Sequence, residues 1–263
     1  MKALRNNLTN ILQKIRRSPH ILLFLDYDGT LTPIVKRPDM AQLSTGTRAL
    51  LRSLSKDKDV SLSVVSGRPL NQIKRLIGLK NIYYAGNHGL EIEAGGKVIL
   101  MPEAKKVRLI IKRLKKSLSA RLKTISNYEI EDKGPILSVH YRRVNGADVR
   151  LLKEIFRRET AAYIKSGKIS VSKGKKVLEI RPPLGWNKGD YCRYLLKKLK
   201  GSGKNSPLAV YIGDDVTDED AFKVLRRKGI TLFVRGEKRS SCAEYYVDSP
   251  GAVKAFLELI LKR

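Results

Sequence analysis

The most constraining feature of this chain is a run of five apolar residues, Ile21 to Leu25, that ends abruptly in Asp26-Tyr27-Asp28-Gly29. A strand with one face in water alternates apolar and polar residues, so an unbroken run reads as a central parallel strand covered on both faces. The carboxyl end of such a strand is where open α/β sheets place their ligands. The pattern recurs. Val60 to Val65 is stopped by Ser66-Gly67-Arg68, Asn81 to Ala85 is a third short strand, Leu208 to Ile212 is stopped by Gly213-Asp214-Asp215, and Ile230 to Val234 is a fifth. Between them, Asp39 to Lys56 reads as a loop entering a helix and Pro69 to Ile77 as a helix. The alternation predicts an α/β fold with a doubly wound, Rossmann-like parallel sheet.

The texture changes in the middle of the chain. Residues 102–181 read as a long basic helix (Glu103 to Lys123), strands at Ser126 to Ile130 and Ile136 to Arg142, a helix around Ala147 to Ile164, and strands at Lys168 to Ser172 and Lys176 to Ile180. This predicts an inserted α+β domain, with residues 1–101 and 182–263 forming the core. The hinges fall near Pro102 and Pro182-Pro183, since proline ends regular structure.

At 263 residues the chain is long enough to bury a core without staples. Its cysteines, Cys192 and Cys242, have no metal or disulfide spacing, which fits a reducing, cytoplasmic compartment. No apolar stretch approaches the roughly 20 residues that span a bilayer. Residues 1–20 hold no acid and carry Leu4, Leu8, Ile11, Leu12 and Ile15 at helical spacing, which suits a docked amphipathic helix or a transit peptide. Lys and Arg total 54 against 25 Asp and Glu, a net charge of +29, and residues 101–180 contribute 21 − 8 = +13 of it. Such a charge steers anionic ligands or binds nucleic acid nonspecifically. Aromatic residues make up only 6% of the chain, and the basic ones are dispersed without interleaved stacking platforms, so a nucleic-acid partner is not expected.

Chemistry enters at the strand ends. Asp26 and Asp28, two residues apart before a turning glycine, suit a nucleophile on phosphorus paired with a general acid and base. Taken alone the pair equally suits an Asx-turn or a calcium ligand set. Gly213 to Asp220 packs five carboxylates into seven residues of a strongly cationic chain. Together they would repel one another, so a divalent cation is the natural neutraliser, and oxygen-only ligands favour Mg²⁺. Acids at a helix N-terminus account for Glu219 and Asp220 equally well, and leave Asp214 as the better ligand. The Ser66 hydroxyl can bind phosphate oxygens, and Lys188, in Gly185-Trp186-Asn187-Lys188-Gly189, can supply the positive charge that phosphoryl transfer needs.

In this order, Asp26-Tyr27-Asp28-Gly29-Thr30, Ser66, Lys188 and Gly213-Asp214-Asp215 resemble the four motifs of the haloacid dehalogenase-like phosphatases. Over nearly the whole chain the sequence is similar to the trehalose-6-phosphate phosphatase family, through Asp26 to Ile34, Ser66-Gly67-Arg68, Gly86 to Glu91, Glu131-Asp132-Lys133, Ser138 to Arg142, Lys173 to Pro182, Trp186 to Gly189 and Gly213 to Asp220. The resemblance implies Asp26 as nucleophile and Asp28 as general acid and base. It implies Mg²⁺ on the Asp26 carboxylate, the Asp28 backbone carbonyl and Asp214, with Asp215 and Asp218 nearby. Ser66, Arg68 and Lys188 would surround the phosphate. The insert becomes a substrate-selecting cap in which Glu131, Lys133, Arg142, Lys176 and Glu179 hold sugar hydroxyls, with Asn87 and His88 approaching from the core. Each of these cap residues also suits an ordinary surface ion pair, and His140 reads as structural.

The expected enzyme is a free-standing Mg²⁺-dependent phosphatase, a monomer acting on trehalose 6-phosphate. Sucrose phosphate and a glycosyl-phosphoglycerate are the alternative substrates, and a nucleic-acid-binding module on a degenerate phosphatase core is the rival from another class.

Overall fold

The computed structural model describes every residue except 36, 38, 39, 175, 184, 201–205 and 236–239. Asp39, where the loop before the first core helix was expected to begin, and Lys175, inside the Lys173 to Pro182 segment, lie outside the described residues.

The chain divides into two units, Met1–Ile99 with Trp186–Arg263, and Leu100–Gly185. In the first, β1 (Lys2–Ala3), β2 (Ile21–Leu25), β3 (Val60–Val65), β4 (Tyr83–Gly86), β5 (Glu91–Ala94), β6 (Lys97–Leu100), β11 (Leu208–Gly213), β12 (Ile230–Val234) and β13 (Tyr245–Val247) form one sheet in the order β1-β13-β12-β11-β2-β3-β4-β5-β6. Pairing is parallel from β1 through β4 and turns antiparallel at β5.

The unbroken apolar runs are strands because both faces of the sheet are covered. Ile21, Leu23 and Leu25 join a core with Ile11 and Ile15 of α1 (Leu8–Arg16), Leu50, Leu51 and Leu54 of α2 (Thr45–Lys56), Ile73 and Ile77 of α3 (Leu70–Ile77), and Phe256 and Ile260 of α8 (Pro250–Leu261). On the opposite face Phe24 stacks on Tyr211 and meets the edge of Tyr191 in α6 (Lys188–Lys200), and Tyr211 meets Phe222 of α7 (Glu219–Leu225). The amino-terminal segment is thus a docked amphipathic helix. Its apolar residues sit at the i, i+4 spacing that aligns one face.

Parallel register decides which ends meet. Leu25 pairs with Val64 on one side and Ile212 on the other, and the Asp26 amide donates to the Ile212 carbonyl at 3.0 Å. The loops carrying Asp26, Ser66 and Asp214 therefore leave the sheet side by side.

The second unit is a four-stranded antiparallel sheet in the order β7-β8-β10-β9, formed by β7 (Glu129–Asp132), β8 (Leu137–His140), β9 (Ser170–Gly174) and β10 (Val177–Arg181). Helices α4 (Pro102–Arg121) and α5 (Gly146–Lys165) bury Val107, Ile111, Leu114, Leu118, Leu152 and Phe156 against Leu137, Val139, Leu178 and Ile180. Pro102 opens a helix at its first position, where its missing N–H costs nothing. Among the described residues no helix is long and apolar enough to cross a membrane.

Candidate active site

The turn after β2 is built by Gly29, whose φ of +85° is left-handed; its amide donates to the Thr32 carbonyl at 2.8 Å. A side chain there would collide with the Asp214 carboxylate, so the glycine serves both the turn and the approach of the acidic loop. Asp26 is 5% exposed. Its Oδ1 accepts from Lys188 Nζ at 2.7 Å, and the same ammonium donates to Asp218 Oδ1 at 2.7 Å. Lys188, at the start of α6, is itself buried.

Asp218 is the most heavily bonded carboxylate of the site. Its Oδ1 also accepts from the Tyr211 hydroxyl at 2.6 Å, and its Oδ2 accepts from the amides of Asp214 at 3.1 Å and Asp215 at 2.9 Å. Asp214 Oδ1 accepts from Thr30 Oγ1 at 3.3 Å. Burial, then Asp218, push the Asp214 carboxyl up to about 7, with Lys188 pulling the other way. Burial also raises Asp26, against the pull of Lys188, and the two carboxylates hold Lys188 firmly protonated despite its burial.

Ser66 is buried, and its Oγ accepts the Arg68 amide at 3.1 Å, leaving its hydroxyl hydrogen to donate. Arg68 lies against Asp28, Nε to Oδ2 at 2.7 Å and Nη2 to Oδ1 at 2.5 Å. Asn87 and His88 brace this loop from below. The Asn87 amide donates to the Arg68 carbonyl at 2.8 Å, its Nδ2 to Glu91 at 2.8 Å, and the His88 amide to the Ser66 carbonyl at 2.9 Å. The His88 ring covers Gly67 so closely that any side chain there would clash. Both Asn87 and His88 have left-handed φ.

In the second unit, register lines up a polar row: Glu131 on β7 faces Ser138 on β8, which faces Glu179 on β10. Glu179 Oε1 accepts from Ser138 Oγ at 3.0 Å and Lys133 Nζ at 3.3 Å, and its Oε2 from Arg181 at 2.8 Å. Lys133 also lies 3.5 Å from Glu131, which bonds His140 Nε2 at 3.1 Å. Against its burial, the His140 bond and the Lys133 ammonium hold Glu131 below the usual carboxylate range. Glu131, Lys133 and Glu179 are thus one network. Arg142 and Lys176 are exposed and, among the described residues, make no ion pair with it; the Lys176 carbonyl accepts the Tyr141 amide at 3.0 Å.

A family model described as trehalose-phosphatase matches residues 24–251. The chain belongs to the trehalose-phosphatase family. Its relatives include the probable trehalose-phosphate phosphatase 3 of Oryza sativa subsp. japonica, 36% identical over 94% of this chain and 70% of its own length. Another is the trehalose 6-phosphate phosphatase RA3 of Zea mays, 34% identical over 94% and 71%. Among solved structures, the C-terminal domain of C. albicans trehalose-6-phosphate phosphatase superposes with a TM-score of 0.79, at 25% identity, covering 99% of this chain and 98% of that one.

For this trehalose-phosphatase family chain, the donor set fits a divalent cation. Asp26, Asp214 and Asp218 each bring an oxygen within 4.8 Å of the others, and a single ammonium, Lys188, is bonded to two of them. All-oxygen donors suit a hard cation. The oxygens of Asp218, however, already take four donors, so it orients Lys188 and the Asp214 loop and leaves Asp26 and Asp214 as the open carboxylates. The Asp28 carboxylate is turned to Arg68. Sequence reasoning noted Asp218 only as a neighbour and missed Tyr211, Thr30, Ser138 and Arg181; His140, read as structural, bonds Glu131 from the next position on the same face of β8. The polar alternation Ser138, His140 along β8 was the available signal for Ser138.

Proposed function

We propose that the protein hydrolyses trehalose 6-phosphate to trehalose and phosphate, with Asp26 as nucleophile, Asp28 as general acid and base, and Mg²⁺ held by Asp26, Asp214 and the Asp28 carbonyl. It is a phosphoric monoester hydrolase by family. The observation that carries the residue assignment is the buried Lys188 fixed between Asp26 and Asp218 beside Asp214.

In the first step an Asp26 carboxylate oxygen attacks phosphorus, the bond from phosphorus to the sugar oxygen breaks, and Asp28 gives that oxygen its proton. In the second, Asp28 takes a proton from water, the hydroxide attacks the aspartyl-phosphate, and the carboxylate of Asp26 departs. Lys188 fixes the nucleophile through Oδ1 and counters charge on the phosphoryl group, and Ser66 Oγ–H is available to its oxygens. A bound Mg²⁺ adds further neutralisation of that charge. The network Glu131–Lys133–Glu179 supports recognition of an uncharged disaccharide, since charged groups of fixed geometry make strong bonds to hydroxyls. Arg142 and Lys176 remain candidate sugar contacts on the resemblance alone. The free thiols Cys192 and Cys242 support a cytoplasmic site of action.

Phosphate release is measured over trehalose 6-phosphate, sucrose phosphate and a glucosyl-phosphoglycerate, with Mg²⁺ and with EDTA, and light scattering tests the monomer. Metal-dependent turnover fastest on trehalose 6-phosphate and absent in Asp26→Asn is expected. Faster turnover of another sugar phosphate would reassign the substrate, and an active Asp26→Asn would remove the nucleophile.

A further inference from the structure

We propose that Arg68 is the positioning residue of Asp28 and acts on the reaction through it, not as a ligand of the substrate phosphate. The inference rests on the reading of Asp28 as general acid and base.

Asp28 has a short side chain that is 43% exposed, so left alone its carboxylate would sample several rotamers in water. Arg68 removes that freedom by donating from two adjacent nitrogens to both carboxylate oxygens, the fork geometry that fixes the plane as well as the position of a carboxylate. A lysine could not do this, because an ammonium is a point donor.

The guanidinium is in turn held. Its side chain is 8% exposed and lies over the Tyr27 ring, 5.5 Å from the centroid, and Tyr27 is locked by its hydroxyl donating to the Ala41 carbonyl at 2.9 Å. The Arg68 backbone is tied on both sides, its amide to Ser66 Oγ and its carbonyl to the Asn87 amide. Among its described partners, the one with freedom to lose is Asp28. During turnover one Asp28 oxygen exchanges its Arg68 bond for the proton it gives to the departing sugar oxygen and then takes back from the attacking water, while the other oxygen stays tethered to Arg68.

The cationic partner of the nucleophile is Lys188, which joins Asp26 to Asp218, whereas Arg68 bonds Asp28. The two cations thus serve different carboxylates.

The test separates acid positioning from phosphate binding through the leaving group. The ratio kcat/KM reports the steps up to departure of the alcohol, so it is measured on phosphates running from p-nitrophenyl phosphate, whose leaving group needs no proton, to trehalose 6-phosphate, whose alkoxide does. For Arg68→Gln we expect a loss of about 100-fold on trehalose 6-phosphate and only about threefold on p-nitrophenyl phosphate, within the range that general acid catalysis contributes. Arg68→Lys keeps the charge and the apolar stem. It should steepen the leaving-group dependence less than Arg68→Gln, and it carries the test if the glutamine variant does not fold. Added to Asp28→Asn, Arg68→Lys should cause no further loss. A uniform rise in KM across the series with an unchanged slope would make Arg68 a phosphate ligand and overturn the inference. If Asp28→Asn itself left the slope unchanged, the assignment of Asp28 would fall, and the inference with it.

Discussion

Replacing Asp218 with Asn tests whether this carboxylate, and not solvent or a metal, organises the site. The residue is fully buried and takes four donors, Lys188, Tyr211 and two backbone amides. Asparagine keeps the shape but offers only one acceptor oxygen. Whichever way its amide turns, its NH₂ faces two donors: the Asp214 and Asp215 amides in one orientation, Lys188 and Tyr211 in the other. Each buried donor left unmatched costs about 1–3 kcal/mol, and two give about 2–6 kcal/mol. Breaking a buried ion pair by removing one partner's charge costs about 3–5 kcal/mol, in the same range. For a chain of this size that lowers the unfolding midpoint by about 4–24 °C. Trp186 is the single tryptophan of the chain, and its indole donates to the Gly89 carbonyl at 2.9 Å, so its fluorescence follows the unit that holds Asp218. Thermal melts at neutral pH in EDTA read the effect without metal. A midpoint within about 2 °C of wild type would refute the reasoning, since that is less than 1 kcal/mol in such a protein.

Asp214→Asn should behave oppositely: it removes one of several repelling carboxylates, so the metal-free protein melts no lower than wild type, while the rise in midpoint on adding Mg²⁺ disappears. Glu179→Ala should raise KM for trehalose 6-phosphate about tenfold or more, the worth of hydrogen bonds to a charged group, and leave p-nitrophenyl phosphate hydrolysis unchanged; equal losses on both substrates would make it a fold residue. Asp57 gives a pH test. Although burial opposes it, the Asp59 amide and Arg263 hold its carboxyl below the ordinary range. A depressed carboxyl stabilises above its unfolded value and loses that contribution as pH falls through the folded one. Asp57→Ala should therefore cost about 1 kcal/mol at neutral pH, and the difference from wild type should shrink in melts below about pH 4.

What the sequence by itself determined is local. Ile21–Leu25 carries no polar residue, so its burial on both faces, and hence a parallel sheet, follows from composition along the strand. The pair Asp26 and Asp28 before Gly29 is legible for the same reason: the turn, the strand end and the carboxylates are neighbours in the chain. The short strands at the two margins of the sheet, β1 and β13, β5 and β6, were not legible, being two to four residues long, and β1 pairs with β13 across nearly the whole chain. Only tertiary structure decided which charge meets which. Lys188 is 162 residues from Asp26 and 30 from Asp218, and Arg68 is 40 from Asp28. In a chain with 54 basic residues no spacing singles these out. The parallel register of β2 with β3 and β11 and the packing of α6 on that sheet bring them together, as antiparallel register brings Glu131, Ser138 and Glu179 into one row. Register is set by how the apolar faces of whole strands and helices pack, a property that belongs to the sheet and not to any segment of it.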